Sequence, residues 1–297
     1  MITRQRLGGW FLLAGMAAGM AAADSNVVIT SFPGNGQVTW QGSNYTGYAV
    51  EWAPSLSGPW TSTWEQLAWI PGDGTSFTAA VPMFYRVTGF QDPPSTLLLH
   101  GDGQDGSTNI IDENGHAVTV YGDTRISTNF SIFGGASLLF DGSGDYLSLP
   151  QGTDWAFGTG DFTIDLWLRL TANVDPVQFI GCQQAYVASD WLVSRYSGTL
   201  GMNLAVGQLR TAITPAMDTW YHLAATRAGG LLRIFVDGQK RAEQTESGSW
   251  GCNYPLTIGR AFNEWGYMAG YLDEIRIVKG LAVWTNDFTP PTHPYGR

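Results

Sequence analysis

The nine residues Phe162-Thr163-Ile164-Asp165-Leu166-Trp167-Leu168-Arg169-Leu170 alternate without a fault. Phe162, Ile164, Leu166, Leu168 and Leu170 point one way, and Thr163, Asp165, Trp167 and Arg169 point the other. A period of two sustained this long specifies a strand with one face in a core, because a helix repeats its apolar positions every three or four residues. Leu232, Ile234 and Val236 repeat the pattern before the turn Asp237-Gly238. Leu138 and Phe140 lead into the Gly-rich turn Asp141-Gly142-Ser143-Gly144-Asp145, and Tyr146-Leu147-Ser148-Leu149 follows it. Beyond residue 24 no segment holds a helical period over three turns. The expected fold class is all-β.

Composition sets the outer limits. Of 297 residues, 44% are hydrophobic, enough to build a core, and 38 are Gly, enough to serve many turns. Fifteen basic residues against twenty-five acidic ones give a net charge of −10, and Lys240 and Lys279 are the only lysines. With no Lys/Arg run to meet a phosphate backbone, nucleic acid is excluded as a partner.

The opening Met-Ile-Thr-Arg-Gln-Arg, the apolar stretch Leu7 to Met20 and the small residues Ala21-Ala22-Ala23 read as a secretory signal peptide over 1–23. Cleavage after Ala23 predicts a secreted, periplasmic or cell-surface protein with no membrane span in its mature part. Cys182 and Cys252 suit an oxidising compartment, and their sequence positions leave open a single bridge or two free thiols.

Residues 24–90 form a first unit of short strands. Gln37-Val38-Thr39-Trp40, Tyr48-Ala49-Val50-Glu51-Trp52 and Met83-Phe84-Tyr85-Arg86-Val87 are bounded by Gly, Pro, Ser and Asn. The unit resembles a small fibronectin type III-like β-sandwich. Residues 91–96, with Pro93-Pro94, read as a stiff linker.

From residue 97 a series of motifs appears in order. They are Ala136 to Leu149, Gly158-Thr159-Gly160-Asp161-Phe162-Thr163-Ile164, Trp220-Tyr221-His222-Leu223-Ala224 and Val236-Asp237-Gly238. Leu256-Thr257-Ile258-Gly259-Arg260, Gly270-Tyr271-Leu272-Asp273-Glu274-Ile275-Arg276-Ile277 and Phe288-Thr289-Pro290-Pro291 complete the series. Residues 97–297 thereby resemble the concanavalin A-like lectin/glucanase superfamily in its laminin G-like branch. The resemblance implies a two-sheet antiparallel jelly-roll sandwich whose concave-rim loops carry any ligand. It does not imply one activity, since the fold hosts lectins, glycosidases, lyases and adhesion modules.

Glucanases of this kind place Glu-x-Asp-x-x-Glu on one strand, so that acid and nucleophile share a face. None of the seven glutamates stands in that spacing, and Asp165 is a lone acid on its strand. No Gly-x-Ser-x-Gly elbow and no histidine pair at metal-ligand spacing is present. The expected function is therefore non-catalytic: a secreted protein binding carbohydrate or another extracellular surface ligand. An enzyme with an unrecognised site and a protein-binding adhesion module are the alternatives.

Two residue classes are candidates for a binding site. Tyr186, Trp191, Trp250, Trp265 and Tyr267 fall on expected loops, where flat rings can stack on sugar C–H faces. Asp102, Asp141, Asp145 and Asp273 lie on turns and at a parity shift, and hard cations want carboxylate and carbonyl oxygens. In jelly-roll relatives a structural calcium often ties the chain ends together, and these residues would carry it here; Asx-turns are the competing role. A pentraxin-like calcium site would instead use Asp190 and Asn263-Glu264. The parity shift is itself a signal: apolar Leu272 is followed by Ile275 and Ile277, which places a β-bulge at Asp273-Glu274.

Overall fold

The computed structural model describes residues 27–31, 37–42, 47–53, 70–71, 76–78, 84–90, 92–182, 190–204, 207–260 and 266–296. The leader expected over 1–23 lies outside them. The chain divides into two compact units, residues 1–92 with 296–297, and residues 93–295.

In the first unit the strands are β1 (Val28–Ser31), β2 (Gln37–Gln41), β3 (Gly47–Ala53), β4 (Ile70–Pro71), β5 (Ser76–Thr78) and β6 (Phe84–Phe90). They form two three-stranded antiparallel sheets, ordered β1-β2-β5 and β4-β3-β6. Trp40 on β2 and Tyr48 on β3 are buried and meet edge to face at 5.7 Å, so an aromatic pair links one sheet to the other.

The second unit starts with β7 (Leu97–Leu99), β8 (Thr119–Tyr121), β9 (Arg125–Ser127), β10 (Ser137–Asp141), β11 (Tyr146–Leu149), β12 (Phe162–Leu170) and β13 (Val177–Gly181). It continues with β14 (Leu192–Tyr196), β15 (Thr199–Leu204), β16 (Gly207–Arg210), β17 (Trp220–Ala228), β18 (Leu231–Val236), β19 (Gln239–Thr245), β20 (Leu256–Ile258) and β21 (Ala269–Lys279). These make two antiparallel sheets packed as a sandwich. The first runs β19-β18-β17-β12-β21-β10-β9, with β7 also on β21; the second runs β16-β15-β14-β13-β20-β11-β8.

The alternation of β12 explains the layering. Phe162, Ile164, Leu166, Leu168 and Leu170 enter a core shared with Leu147, Leu149, Phe179, Met202, Leu256 and Ile258 of the facing sheet. The opposite face of β12 is not open to solvent, although its residues are polar. Residues 281–295 cross it as a strap. Thr163 Oγ1 donates to Leu281 O at 3.0 Å, Thr226 Oγ1 donates to Trp284 O at 2.9 Å, and Trp284 and Phe288 stack at 4.0 Å.

Under the strap Asp165 is fully buried. Its Oδ1 accepts from Arg276 Nε at 3.0 Å, its Oδ2 accepts from the Tyr295 hydroxyl, and His222 Nε2 stands 3.4 Å away. Burial alone would push this carboxyl up, but Arg276, His222 and Tyr295 outweigh it and hold it below the ordinary 3.8.

The bulge falls where the parity shift placed it. Trp167 opposes Asp273 and Asp165 opposes Arg276, so Leu166 faces two residues, Glu274 and Ile275. Glu274 carries the strain at φ 50°. The other side of β21 changes neighbour at the same point: residues 269–272 pair with β10 and residues 275–277 with β7.

Asp165→Ala should cost about 3–5 kcal/mol in urea unfolding at pH 7, because Arg276 stays buried without its carboxylate. The folded carboxyl titrates below the unfolded one, so its stabilisation is complete above about pH 5 and lost as pH falls through the folded value. The acid limb of a stability–pH curve should therefore flatten in Asp165→Asn.

Candidate functional site

Two groups of carboxylates stand at opposite ends of β10. The first gathers at the β21 bulge, where the end of β7 and the start of β10 abut. Asp273 Oδ2 accepts the backbone N–H groups of Ile132 at 2.7 Å and Phe133 at 3.3 Å. Its Oδ1 is buried without a hydrogen-bond partner. Glu274 Oε1 meets His100 Nδ1 at 2.7 Å, and its Oε2 accepts the Tyr295 N–H at 2.9 Å.

Asp102 lies close enough for its charge to act on both acids. Gly134, at φ 61°, lets the Asp102 carboxylate approach, since any side chain there would collide with it. Asp102 is exposed to solvent, yet local desolvation of its carboxyl and nearby Glu274 push it up to about 7. Burial, with Glu274 and Asp102, pushes Asp273 up as well. Burial would lower His100, but Glu274 more than compensates and raises it. These acids act on one another's charge, and one of them keeps a buried oxygen without a hydrogen-bond partner.

The second group is Asp123, Asp141 and Asp145, whose carboxylate oxygens lie within 4.8 Å of one another and could hold a metal ion. Buried Asp145 organises it. Its Oδ1 accepts the Asp123 N–H at 2.7 Å and its Oδ2 accepts the Asp141 N–H at 2.8 Å. Gly122, at φ 69°, has no Cβ to strike that carboxylate. Asp141 Oδ1 also accepts the Ser143 N–H at 2.7 Å, so an Asx-turn and the cluster coexist.

The sequence-predicted metal residues thus divide: Asp102 lies near Asp273 of the bulge, and Asp141 and Asp145 meet at the turn. Asp123 was missed because it comes from the β8–β9 link. Its only signal is the dipeptide Gly122-Asp123, turn chemistry of the same kind. Asp190 is buried and bonded to Asn253 at 3.0 Å, while Asn263 and Glu264 lie outside the described residues.

Two of the predicted aromatic platforms are core residues instead. Trp191 is 0% exposed, donates from Nε1 to Trp155 O at 2.9 Å and packs on Phe157. Trp250 is 4% exposed, packed on Phe162 with the Arg227 guanidinium 4.9 Å above its ring. The Trp250 segment is held inward by a two-way backbone bridge between Gly158 and Trp250. Tyr267 is half-buried beside Tyr146. Tyr186 and Trp265 lie outside the described residues.

Cys182 and Cys252 sit side by side as free, buried thiols. Burial, reinforced by the hydrogen bond to Cys252, pushes the Cys182 thiol up, so it is a poor nucleophile as placed.

No curated protein matches the sequence. Among solved structures, the binding domain of Paraclostridial Mosquitocidal Protein 1 superposes with a TM-score of 0.51 at 14% identity, over 64% of this chain and 49% of that one. The chain thus spans about half of that structure's length. Domain 4 of AbnA, a GH43 extracellular arabinanase from Geobacillus stearothermophilus in complex with arabinotriose, gives 0.49 at 19% identity, over 64% of this chain and 94% of that one. The binding domain of botulinum neurotoxin DC in complex with SialylT gives 0.45 at 15% identity, over 63% and 48%. Residues 141–282 match the family described as the concanavalin A-like lectin/glucanases superfamily. The match lies within the second unit, whose two-sheet sandwich is the fold the concanavalin A-like resemblance implied.

Proposed function

We propose that this is a secreted, non-catalytic binding protein whose jelly-roll unit recognises carbohydrate on an extracellular surface and is braced by calcium. The observation that carries the non-catalytic half is the fate of Asp165. This lone acid of the long strand β12 is spent on Arg276, Tyr295 and His222 beneath the strap. A carboxylate so enclosed cannot reach a glycosidic bond. The jelly roll of the concanavalin A-like superfamily supports the binding half. Among the described residues no helix is long and apolar enough to cross a membrane.

Calcium would be held by Asp102, Asp273 and Glu274 at the bulge, and by Asp123, Asp141 and Asp145 at the turn. At the bulge it would supply the positive charge that three crowded carboxylates need, and tie β7 to β10 through β21.

A glycan array followed by product analysis tests the binding reading. Binding to a glycan with no new reducing or unsaturated ends is the expected result, and release of such ends by pure protein would overturn it. Calcium is tested by melting. With a dissociation constant of ~10⁻⁴ M, typical of extracellular modules, 10 mM calcium stabilises by about 2.7 kcal/mol, or about 5–10 °C in a unit this size. Asp273→Asn should lose the bulge's share of that increment and keep the turn's. Asp102→Asn should lose it too, while melting above wild type in EDTA because one repelling charge is gone. Equal melting of the wild type in calcium and EDTA would remove calcium from the proposal.

A further inference from the structure

The chain has two cysteines, and the fold brings their side chains into hydrogen-bond contact. Cys182 ends the β13–β14 ladder, its backbone N–H donating to Trp191 O at 3.0 Å. Cys252 lies on the link into β20, just past Trp250, whose backbone is bridged to Gly158 at 2.8 and 2.9 Å. β13 and β20 are neighbours in the second sheet, with Gly181 opposite Thr257. Cys182 Sγ lies 3.7 Å from Gly251 O, and Cys252 Sγ donates to Tyr254 O at 3.2 Å. Two separately anchored segments therefore hold the sulfurs together.

Their surroundings suit sulfur without charge. Cys182 is 0% exposed and Cys252 7%, and both belong to the core that holds Trp191 and Trp250. Burial first, then the Cys252 contact and lastly the Asp190 charge, push the Cys182 thiol up, so a thiolate is penalised where it stands. A soft metal ion would need that thiolate and further ligands beside it. Among the described residues the cluster of three metal-ligating side chains within 4.8 Å is Asp123, Asp141 and Asp145, so no third ligand joins the thiols. A disulfide needs none, and it leaves neither a charge nor a proton to satisfy in the core.

We propose that Cys182 and Cys252 are a modification site, oxidised to a disulfide that locks the end of β13 to the link into β20. The oxidant is itself a disulfide. The thiolate of Cys252, the more exposed of the two, attacks it, releasing one thiolate and leaving a mixed disulfide on Cys252. The Cys182 thiolate then attacks the Cys252 sulfur and releases the second. Both cysteine protons pass to the released thiolates, and the two electrons lost by the cysteines reduce the oxidant's S–S bond. Cys182 is a poor nucleophile once enclosed, so the second step belongs to the folding chain more than to the finished unit. The bond closes a loop of about 70 residues that carries β14 to β19, and so restricts the unfolded chain.

Oxidised glutathione tests this on the full mature chain purified in reductant, with one sample kept folded and another refolding from urea. Intact mass, and maleimide labelling after unfolding, count the thiols. The expected result is a chain two hydrogens lighter with no labelled thiol, reached sooner in the refolding sample than in the folded one. Its melting temperature should stand about 10 °C above that of the reduced chain. The double variant Cys182→Ala, Cys252→Ala should melt alike with and without oxidant, which ties the gain to this bond. Two labelled thiols in both samples, or glutathione retained on either cysteine, overturns the disulfide. A disulfide that forms but leaves melting unchanged or lower overturns its locking role. Either failure leaves the carbohydrate and calcium readings standing.

Discussion

The mismatch of two residues against one at Glu274 is the constraint on which the second unit turns. β21 is flanked by β12 along its length, but its other edge is shared by two short strands that meet end to end. An unbroken β21 would carry Asp273 and Ile275 on one face, sending either a carboxylate into the core or an isoleucine out of it. The extra residue flips the parity, so Leu272, Ile275 and Ile277 all reach the core while Asp273 and Glu274 stay at the seam. The strain at Glu274 is offset by the bonds its carboxylate makes to His100 and to the Tyr295 backbone. One local irregularity thus sets the core register, gathers the acids and anchors the strap.

The two acidic groups differ in what their surroundings leave undone. At the turn, both oxygens of Asp145 are met by backbone N–H groups, so that cluster is self-consistent with or without a cation. At the bulge, Asp273 Oδ1 has no such partner, and Asp102 and Asp273 are both driven toward the neutral acid by burial and the acids beside them. Hydrogen bonding has answered the first group's need and only part of the second's.

Much of this could be read from residue order, because period-two alternation and its faults are local. The strand Phe162–Leu170, the turn Asp141–Asp145 and the bulge after Leu272 all announce themselves within ten residues or so. What depends on distant segments did not. Asp123 joins Asp141 and Asp145 only because β8 pairs with β11. Trp191 and Trp250 occupy positions outside any alternating run, and no local pattern distinguishes a loop that hangs in water from one that folds inward. Tyr121 and Tyr146 could be placed opposite the core-facing Val120 and Leu147 by parity alone, yet their stacking needs the register of two strands 25 positions apart.

The strap bears on how the protein comes into being. A chain exported or synthesised from its N-terminal side presents β12 and β17 long before residues 281–295 arrive. Until then Asp165, His222 and Arg276 lie on an open sheet face, in water, where ions and hydrogen bonds are satisfied by solvent. Arrival of Trp284, Phe288 and Tyr295 converts that wet face into an interior one. The segment 281–295 is therefore the one that completes the dry environment of the central strands.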